Sequence, residues 1–356
     1  MDVVIFLIAL SILVMVHELG HFLAAKKTGV RVEEFGLGLP PRMWGKKIGD
    51  TVWSLNWLPI GGFCKLYGED TQETKQKEKQ YSFAHKNPAQ KALIVVGGVL
   101  MNLVLAVVIF SAVYAITGVP KETEVVKVIA IVDKSPAKEA GLKEGDVVKF
   151  VGTKLIKTSS ELTAEVGKYK GGEVELGVIS KGTNDVKTVR VEVRANPPEG
   201  QGAMGVAVSN IEMVKLPWWR FYEGIGAGFK EGYYWGKVIA GGVFKMVAGL
   251  AMGKVPSDVA GPIGMFQATT SIRQNQGILA VIHFFGIVSV NLAVVNILPF
   301  PALDGGRILF VIYEAITRKR PSEKFENAVN GAGMAVLLGL ILLITLVDVK
   351  RLIIGS

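Results

Sequence analysis

Two histidines and a glutamate occur together in the first apolar segment of the chain. His17, Glu18 and His21 form the pattern H-E-x-x-H. On a helix, residues four positions apart lie on the same face, so both imidazoles can reach one metal ion while Glu18 points to the adjacent edge. This is the pattern of zinc hydrolases, and it predicts a metal site that carries out hydrolysis.

The position of this motif within an apolar segment favours the same interpretation. An ionised residue in the hydrocarbon layer costs roughly 2.5 to 3.5 kcal/mol on insertion scales, and is tolerated mainly when it faces the protein interior and has a partner. A metal ion accounts for all three polar residues at once. The alternative is a buried polar cluster in a helix bundle, whose members satisfy one another.

A catalytic zinc site needs a third protein ligand and keeps a fourth position for water. The candidate is Asp304, in the run N-x-x-P-x-P-x-L-D-G that begins at Asn296. Asp304 follows the inner end of the third apolar segment, and His17 lies about nine residues, roughly 13 Å, from the inner end of the first. Asp304 and His17 are therefore expected at a similar depth in the membrane. Zn²⁺ with two neutral imidazoles, Asp304 and Glu18 also sums formally to zero charge, which a low-dielectric site favours.

Three other residues are weaker candidates for the third ligand. His283 lies near the outer end of the third apolar segment, about 21 residues or some 30 Å of helix from Asp304, and is expected to be packed or hydrogen-bonded. His85 lies in a basic loop and is expected at the surface. Asp258 is expected on the outer side of the membrane.

The elements that position these residues are predicted to be membrane helices. Half of the 356 residues are hydrophobic and 20% are charged, which excludes disorder and a purely soluble enzyme. Cys64 is the single cysteine, so an internal disulfide is excluded. A spanning helix needs roughly 20 apolar residues. Four stretches are candidates, of which the last is short: residues 3–25, 92–118, 277–298 and 333–347.

The charges predict how these helices are oriented. Residues 26–91 contain 12 Lys or Arg and 7 Asp or Glu, a net charge of +5. The positive-inside rule places such a loop in the cytoplasm, so the amino terminus and residues 119–276 are expected outside and the metal site towards the cytoplasmic side. The chain carries a net charge of +9. In a membrane protein this excess marks cytoplasmic loops, and no nucleic-acid partner is expected.

The fold class is therefore a polytopic α-helical membrane protein of about four transmembrane helices with inserted β structure. Residues 1–118 contain the first two helices and residues 277–356 the last two. Residues 119–210 alternate as short strands do and predict a mostly-β domain. Residues 211–276 are rich in Trp and Tyr, which suits an amphipathic helix at the membrane interface. A packed soluble helix is the alternative.

The cytoplasmic loop contains a segment, residues 31–67, that favours turns and short strands over helix. Its apolar content allows it to enter the membrane as a reentrant β element, which is tolerated where the backbone is buried or lines a wet cavity. Four glycines mark its turns: Gly36, Gly38, Gly61 and Gly62.

Together these motifs resemble the site-2 intramembrane zinc metalloproteases of the bacterial regulator-of-sigma-factor type. The resemblance rests on His17-Glu18-Leu19-Gly20-His21, on the run from Asn296 to Gly305, and on Gly261-Pro262-Ile263-Gly264 before the third apolar segment. It covers nearly the whole chain. Residues 125–208 are similar to the single extracytoplasmic PDZ domain of such proteases.

The resemblance implies one Zn²⁺ per chain, with His17, His21 and Asp304 as ligands and Glu18 as the general base. Asn296 matches a position that holds substrate near the metal, and the four glycines match the reentrant β element, which implies that they contact the substrate. The alternative is that these glycines serve the turns alone and have no substrate role. The implied reaction is peptide-bond hydrolysis inside the transmembrane segments of single-span proteins. These are anti-sigma-factor-like regulators or remnant signal peptides in the inner or plasma membrane, trimmed first by an upstream site-1-type protease.

A helical substrate hides its carbonyl groups in hydrogen bonds and must be unwound before hydrolysis. An edge strand of the β element around Thr51, Trp53 and Leu55 could hold the opened segment by β-augmentation. The PDZ domain has two possible roles, capture of a carboxyl terminus or exclusion of substrates with large outer domains. The sequence leaves two other functions open, a catalytically silent PDZ membrane scaffold and, less favoured, a metal or ion transporter.

Overall fold

The computed structural model of the chain describes residues 2–69, 76–183, 185–198, 201–215, 217–252 and 261–354. It divides into two compact units. The first combines Met1–Ile116 with Arg220–Ser356, and the second is Thr117–Trp219. Asp258, which is expected on the outer side of the membrane, lies outside the described residues.

The elements follow one another in this order. The helices are α1 Asp2–Lys27, α2 Pro88–Thr117, α3 Pro136–Glu139, α4 Ser159–Val166, α5 Phe221–Ala251, α6 Pro262–Gln276, α7 Ile278–Asn296, α8 Asp304–Thr317 and α9 Glu323–Ile354. The strands are β1 Val32–Ile48, β2 Thr51–Leu66, β3 Val119–Ile131, β4 Val147–Val151, β5 Lys154–Leu155, β6 Glu173–Ile179, β7 Val186–Glu192 and β8 Val206–Val214. Short 3-10 turns occur at Gln76–Tyr81, Phe83–His85, Gly167–Tyr169 and Trp218–Arg220.

Four helices in the described part of the chain are long and apolar enough to cross a membrane: α1, α2, α7 and Glu323–Lys350 within α9. The predicted number of four is therefore confirmed, and the chain has the architecture of a polytopic membrane protein. The fourth is not short, because α9 extends beyond the apolar residues 333–347 at both ends. Polar helix-forming residues continue the backbone hydrogen bonds where hydropathy alone predicted an end.

The segment predicted to lie at the membrane interface begins later than expected. Strand β8 continues to Val214, past the predicted boundary at residue 210. Helix α5 then runs unbroken for 31 residues and packs on α2 and α7, where Glu231 accepts hydrogen bonds from Tyr114 and His283. Aromatic residues on its other side are exposed, among them Phe229 and Tyr233. A location at the membrane interface stays a prediction.

Helix α6 connects the ends of two other helices. The Asp348 carboxylate of α9 is buried and accepts a hydrogen bond of 2.9 Å from the backbone N–H of Gly264, in the first turn of α6. Near the other end, Arg273 forms an ion pair of 2.8 Å with Asp2 at the start of α1. An acidic group at a helix amino terminus interacts favourably with the unpaired N–H groups there. These contacts fix α6 beside α1 and α9.

The second unit is built on one antiparallel sheet in the order β7-β6-β4-β3-β8, with β5 paired to β4. Its core alternates along the strands, as in Val126 and Val128 of β3 and Leu176 and Val178 of β6. Leu162 of α4 is buried in the same core. The alternating residues in the sequence thus face a single interior.

The β element in the first unit is a hairpin of two long, bent strands that forms a sheet of four segments. Residues 32–37 pair with 62–66 on one side and with 52–55 on the other, and 52–56 pair in turn with 42–47. The order is therefore 62–66, 32–37, 51–56 and 42–48. The expected edge strand around Thr51, Trp53 and Leu55 is wrong, because Trp53 and Leu55 are paired on both sides and Thr51 pairs with Ile48 at the turn between the inner segment 51–56 and the outer segment 42–48. Within the described residues, the edges are 62–66 and 42–48.

Helices α1 and α2 cross where a glycine of each helix faces the other. A methyl group at Gly20 would lie 2.1 Å from the carbonyl oxygen of Gly97, and one at Gly97 would lie 2.7 Å from the carbonyl oxygen of Gly20. Both obstacles are backbone atoms, which do not move aside as side chains do. The two helices therefore approach closely only with glycine at both positions.

We expect Gly20→Ala to lower the free energy of unfolding by about 1–3 kcal/mol, because overpacking forces the helices apart. Thermal unfolding in detergent measures this. The control is Gly226→Ala on α5, where an added methyl group meets nothing within 4 Å. Alanine there is expected to leave the melting temperature unchanged or slightly raised. Equal losses in the two variants would show that the crossing does not need glycine.

Candidate metal centre

Three side chains from two distant parts of the chain meet at one point. His17 and His21 come from adjacent turns of α1, and Asp304 is the first residue of α8. Oδ2 of Asp304 lies 3.0 Å from Nε2 of His17 and 3.4 Å from Nε2 of His21, and the two Nε2 atoms are 3.2 Å apart. All three side chains are at most 12% exposed. Among the residues that the structure describes, these three form the cluster whose ligand atoms could hold a metal ion.

The spacing of these atoms fits a tetrahedral ion. Two ligands bound at about 2.0–2.1 Å to a tetrahedral Zn²⁺ lie about 3.3 Å from each other. Oδ2 of Asp304 is fully buried and accepts no hydrogen bond among the described residues. A metal cation would satisfy a buried carboxylate oxygen that has no hydrogen bond and faces two imidazole nitrogens. The donor set of two histidines and one carboxylate is one that catalytic zinc uses.

The partners of the other ring nitrogens prepare both histidines to bind metal. Nδ1 of His21 lies 2.9 Å from the carbonyl oxygen of Ile94, so its N–H donates there and Nε2 keeps its lone pair. Nδ1 of His17 faces the side-chain amide of Asn102 at 3.3 Å, while the buried Oδ1 of Asn102 has no partner. Amide oxygen and nitrogen are assigned from such networks. Turning this amide over lets Oδ1 accept the His17 N–H and frees Nε2 for the metal.

Helix α2 provides the space for the imidazole rings. A methyl group at Gly98 would lie 2.5 Å from Nε2 of His21 and 2.7 Å from Cε1 of His17. Gly98 follows Gly97, so the close crossing of α1 and α2 and the room for the ligands come from neighbouring residues. Ser289 of α7 donates a hydrogen bond of 2.8 Å to the carbonyl oxygen of Asn102. Three helices thus hold the histidine side of the site.

Glu18 lines the same cavity as the three ligands but does not belong to the ligand cluster. The cavity has a volume of about 220 Å³ and is also lined by Cys64 and Arg307. A methyl group at Gly62 would lie 3.7 Å from Cγ of Glu18, so the edge segment 62–66 runs beside the glutamate. A carboxylate in a cavity next to a metal, and not bound to it, is placed to act as a general base.

The connection between α7 and α8 places Asp304 beside α1. After α7 ends at Asn296, the chain folds back so that a methyl group at Gly305 would lie 2.0 Å from the carbonyl oxygen of Leu298. A methyl group at Gly306 would lie 2.4 Å from that of Phe300. The glycines of the L-D-G-G motif therefore allow the loop to pack directly on the first turn of α8.

The far end of α8 is fixed by an ion pair. Glu314 lies 2.7 Å from Nζ of Lys91, which is almost fully buried at the start of α2, and 3.0 Å from Nε of Arg320. Burial raises the pKa of Glu314, but the hydrogen bonds from Lys91 and Arg320 outweigh it and hold that pKa below its ordinary value. Glu314 is therefore ionised at neutral pH and ties α8 to α2.

The remaining predicted residues have different surroundings. Nδ2 of Asn296 lies 3.4 Å from Nε2 of His17, so Asn296 borders the metal site. Gly62 lies beside Glu18, whereas Gly36 packs inside the sheet against Phe63. Gly38 and Gly61 have φ angles of +79° and +83°, which are turn conformations.

His283 and His85, which the sequence analysis rejects as metal ligands, lie away from the cluster. Nε2 of His283 donates a hydrogen bond of 2.7 Å to Glu231, so the expected hydrogen-bonded role is confirmed. His85 is exposed, as predicted.

Several residues of the site escaped the sequence analysis. Asn102 contacts His17 and Gly98 faces both histidines, and the only signal was a polar residue in the second apolar segment, four positions after a glycine pair. Arg307 forms an ion pair with Glu69 at the wall of the cavity. The same two residues line a second, charged cavity with Lys91. This polar region adjoins the metal site.

Known proteins that resemble the chain are metalloproteases by name or family. The sequence matches peptidase family M50 over residues 5–340. It is 34% identical over 351 residues to a Clostridium perfringens protein whose name describes it as a zinc metalloprotease, and the alignment covers 98% of each chain. The zinc metalloprotease RasP of Geobacillus kaustophilus is 25% identical over 425 residues, again covering 98% of each chain. A Rickettsia conorii protein with a similar name is 29% identical over 367 residues, or 99% of each.

Replacing any one ligand is expected to remove the metal. We expect His17→Ala, His21→Ala and Asp304→Asn to reduce bound zinc from about one ion per chain to nearly none, because two ligands do not hold the ion. Elemental analysis of protein purified in detergent measures the zinc content.

A graded variant and a matched control accompany this measurement. Asn102→Ala is expected to weaken zinc binding by about 10- to 100-fold through the lost partner of His17. His85→Ala removes an exposed histidine and is expected to leave zinc unchanged. Zinc that persists in Asp304→Asn, or is lost from His85→Ala, would contradict the assignment.

Proposed function

The chain belongs to peptidase family M50, and from this membership and the metal centre we propose that it hydrolyses peptide bonds within the transmembrane segments of single-span membrane proteins. It is a metalloendopeptidase, and the resemblance to site-2 proteases is confirmed. The observation that carries the proposal is the position of the ligand cluster: two ligands lie inside a helix apolar enough to span the membrane. Substrates that reach such a site come from the bilayer.

His17, His21 and Asp304 hold one zinc ion per chain in this proposal. Bound zinc supplies Lewis-acid chemistry, polarising the scissile carbonyl and making a water molecule acidic near neutral pH. Glu18 removes the proton from that water and passes it to the leaving amine. Asn296, beside His17, donates its amide N–H groups to the substrate backbone. Asn102 and the Ile94 carbonyl hold the imidazoles in the required orientation.

The segment 62–66 is the strand that receives the unwound substrate. It is paired with residues 32–37 on one side only within the described residues, and Gly62 places it against Glu18. An extended peptide that adds to this edge gains main-chain hydrogen bonds in place of those lost from its helix. Of the four glycines, Gly62 is then the one closest to the reacting groups, while Gly36, Gly38 and Gly61 shape the sheet that carries it.

The unit Thr117–Trp219 is proposed to be a PDZ domain on the outer side of the membrane. Its antiparallel sheet with two short helices is compatible with that assignment, and the positive charge of residues 26–91 favours a cytoplasmic position for the loop before α2. The amino terminus and this domain are then extracytoplasmic, in the inner or plasma membrane. An upstream site-1-type protease would trim the substrate before the PDZ domain admits it, whether by capture of a new carboxyl terminus or by exclusion of larger proteins.

The proposal predicts zinc-dependent cleavage of a trimmed single-span substrate in liposomes. We expect Glu18→Gln to lower kcat by about 10²–10⁴-fold, the range for loss of a general base, while zinc stays bound. A zinc chelator is expected to abolish cleavage by the wild type. His283→Gln, outside the ligand cluster, is the control with expected normal rates. No cleavage of any single-span protein by a zinc-loaded wild type would favour the silent PDZ scaffold.

The edge-strand assignment predicts a position-specific effect of proline. Consecutive residues in an antiparallel strand direct their N–H groups to opposite sides, so one of Phe63 and Cys64 donates to the free edge. Proline at that position removes the donor and is expected to reduce cleavage about tenfold, equivalent to 1.4 kcal/mol, with zinc unchanged. Lys47→Pro, on the opposite edge of the same sheet, is expected to have little effect. Similar losses at both edges would show that proline acts through the sheet fold.

A further inference from the structure

The edge segment 62–66 ends in a turn from which one side chain folds back onto the strand. Glu69 is 15% exposed, and its carboxylate oxygen Oε2 accepts a hydrogen bond of 3.4 Å from the backbone N–H of Leu66. The other oxygen, Oε1, forms the ion pair with Nη1 of Arg307 on α8. One carboxylate therefore links the edge segment to the helix that begins with Asp304.

The N–H group of Leu66 points to the open edge of the sheet. The next residue, Tyr67, donates its N–H to the carbonyl oxygen of Arg31 at 2.9 Å, towards the neighbouring strand. Consecutive N–H groups of a strand point to opposite sides, so that of Leu66 points outwards, where a substrate strand would add. Leu66 is buried, and a buried N–H without a partner is unfavourable. In the structure, Glu69 is that partner.

The backbone of the turn that carries Glu69 is anchored by hydrogen bonds. Phe83 and Ala84 donate their N–H groups to the carbonyl oxygens of Tyr67 and Gly68, at 2.9 and 3.2 Å. Gly68 has a φ angle of +68°, a left-handed conformation that favours glycine and turns the chain back over the strand. The turn is thus held through its backbone, while the contact with the open edge depends on one side chain alone.

A second position for this carboxylate lies next to the first. Glu69 and Arg307 line both the metal cavity and the charged cavity that adjoins it. Lys91 and Arg320 also line the charged cavity, so its surroundings suit an anionic group. A guanidinium can hold both oxygens of a carboxylate through two parallel hydrogen bonds. A Glu69 side chain that leaves Leu66 can therefore stay bound to Arg307.

We propose that Glu69 is a removable cap on the edge that binds the substrate. In the resting enzyme its carboxylate occupies the N–H of Leu66. When an unwound substrate adds to segment 62–66, a backbone carbonyl oxygen of the substrate takes this N–H, and Arg307 holds the displaced carboxylate. The proposal deepens the proposed function and rests on it.

The cap makes Glu69 a residue that determines which segments are accepted. Leu66 lies four positions after Gly62, or about 13 Å along a strand. Gly62 lies beside Glu18, so the substrate residue that faces Leu66 is about four residues from the scissile bond. A segment that is still helical there uses its carbonyl groups within the helix and offers none to this N–H. Such a segment leaves the cap in place and binds weakly.

Steady-state kinetics test the cap, with a trimmed single-span protein in liposomes as the substrate. Glu69→Ala removes the competing carboxylate and is expected to lower KM about three- to tenfold, the effect of one hydrogen bond, with kcat and zinc content unchanged. Arg307→Met removes the group that holds the displaced carboxylate and is expected to raise KM by a similar factor. Glu69→Gln keeps an oxygen for Leu66, so its KM is expected to be no lower than that of the wild type.

The opposite signs distinguish a cap from an ion pair that only stabilises the fold. Loss of a structural ion pair changes KM in the same direction whichever partner is removed, so equal changes in Glu69→Ala and Arg307→Met would overturn the proposal. A KM in Glu69→Gln as low as in Glu69→Ala would overturn it too. In the Glu69→Ala background, Arg307→Met is expected to have no further effect, because the carboxylate that Arg307 holds is absent.

Another ion pair of the same sheet is a matched control. Glu34 and Arg42 are 15% and 48% exposed, compared with 15% and 52% for Glu69 and Arg307. Glu34→Ala and Arg42→Met are expected to leave KM unchanged. A decrease of KM in Glu34→Ala as large as in Glu69→Ala would show that any broken ion pair of the sheet has this effect, and the cap would be refuted.

Binding measured without cleavage separates the cap from the proposed function. In the Glu18→Gln background, the Kd of a fluorescently labelled trimmed single-span protein is expected to fall with Glu69→Ala and to rise with Arg307→Met. Zinc-dependent cleavage by the wild type together with an unchanged Kd in both variants would overturn the cap and leave the proposed function intact. No cleavage of any trimmed single-span protein by the zinc-loaded wild type would instead refute the proposed function, and the cap with it.

Discussion

The close crossing of α1 and α2 is the contact on which the metal centre depends. Gly20 and Gly97 meet backbone to backbone, and the next residue of α2, Gly98, faces both imidazoles. A separation of the helices by even a methyl group would move Asn102 and the Ile94 carbonyl away from the histidines they orient. In a membrane the hydrophobic effect does not drive helices together, so small residues that permit close packing and polar contacts take its place. Here the same few residues of α2 provide both.

Asp304, the third candidate ligand, is brought to the two histidines by the loop between α7 and α8. Asp304 begins α8 immediately after a loop that folds back on Gly305 and Gly306, and the far end of α8 is tied to α2 by Lys91 and Glu314. A buried, ionised aspartate needs a positive charge nearby, and a bound metal ion would provide it. The site is thus held from both ends of α8, which allows a carboxylate on a short helix to meet two histidines from a membrane helix.

The cluster of candidate ligands could be predicted from sequence because the chemistry of these residues is unusual in an apolar segment. His17 and His21 have a spacing that only a shared helix face explains, and Asp304 follows from depth and charge. Asn102 and Gly98 carry no such signal, since their importance arises from the helix crossing. The register of residues 31–67 was also not predictable, because its glycines and prolines permit several pairings and a shift of one residue exchanges the two faces of a strand. The edge strand of the structure therefore lies at residues 62–66 and not around Thr51, Trp53 and Leu55, as the sequence predicted.

In the proposed function, the need to unwind a substrate helix explains why the edge segment 62–66 has to lie at the metal site. Opening one turn frees about four N–H and four C=O groups, and each unpaired group in hydrocarbon costs several kcal/mol. The cost falls only if new partners are present where the helix opens. Segment 62–66 offers such partners, and Gly62 lets it approach Glu18 without an intervening side chain. The stretch of substrate whose backbone is satisfied by the strand is then the stretch that faces the general base. Unwinding and selection of the scissile bond therefore follow from one contact.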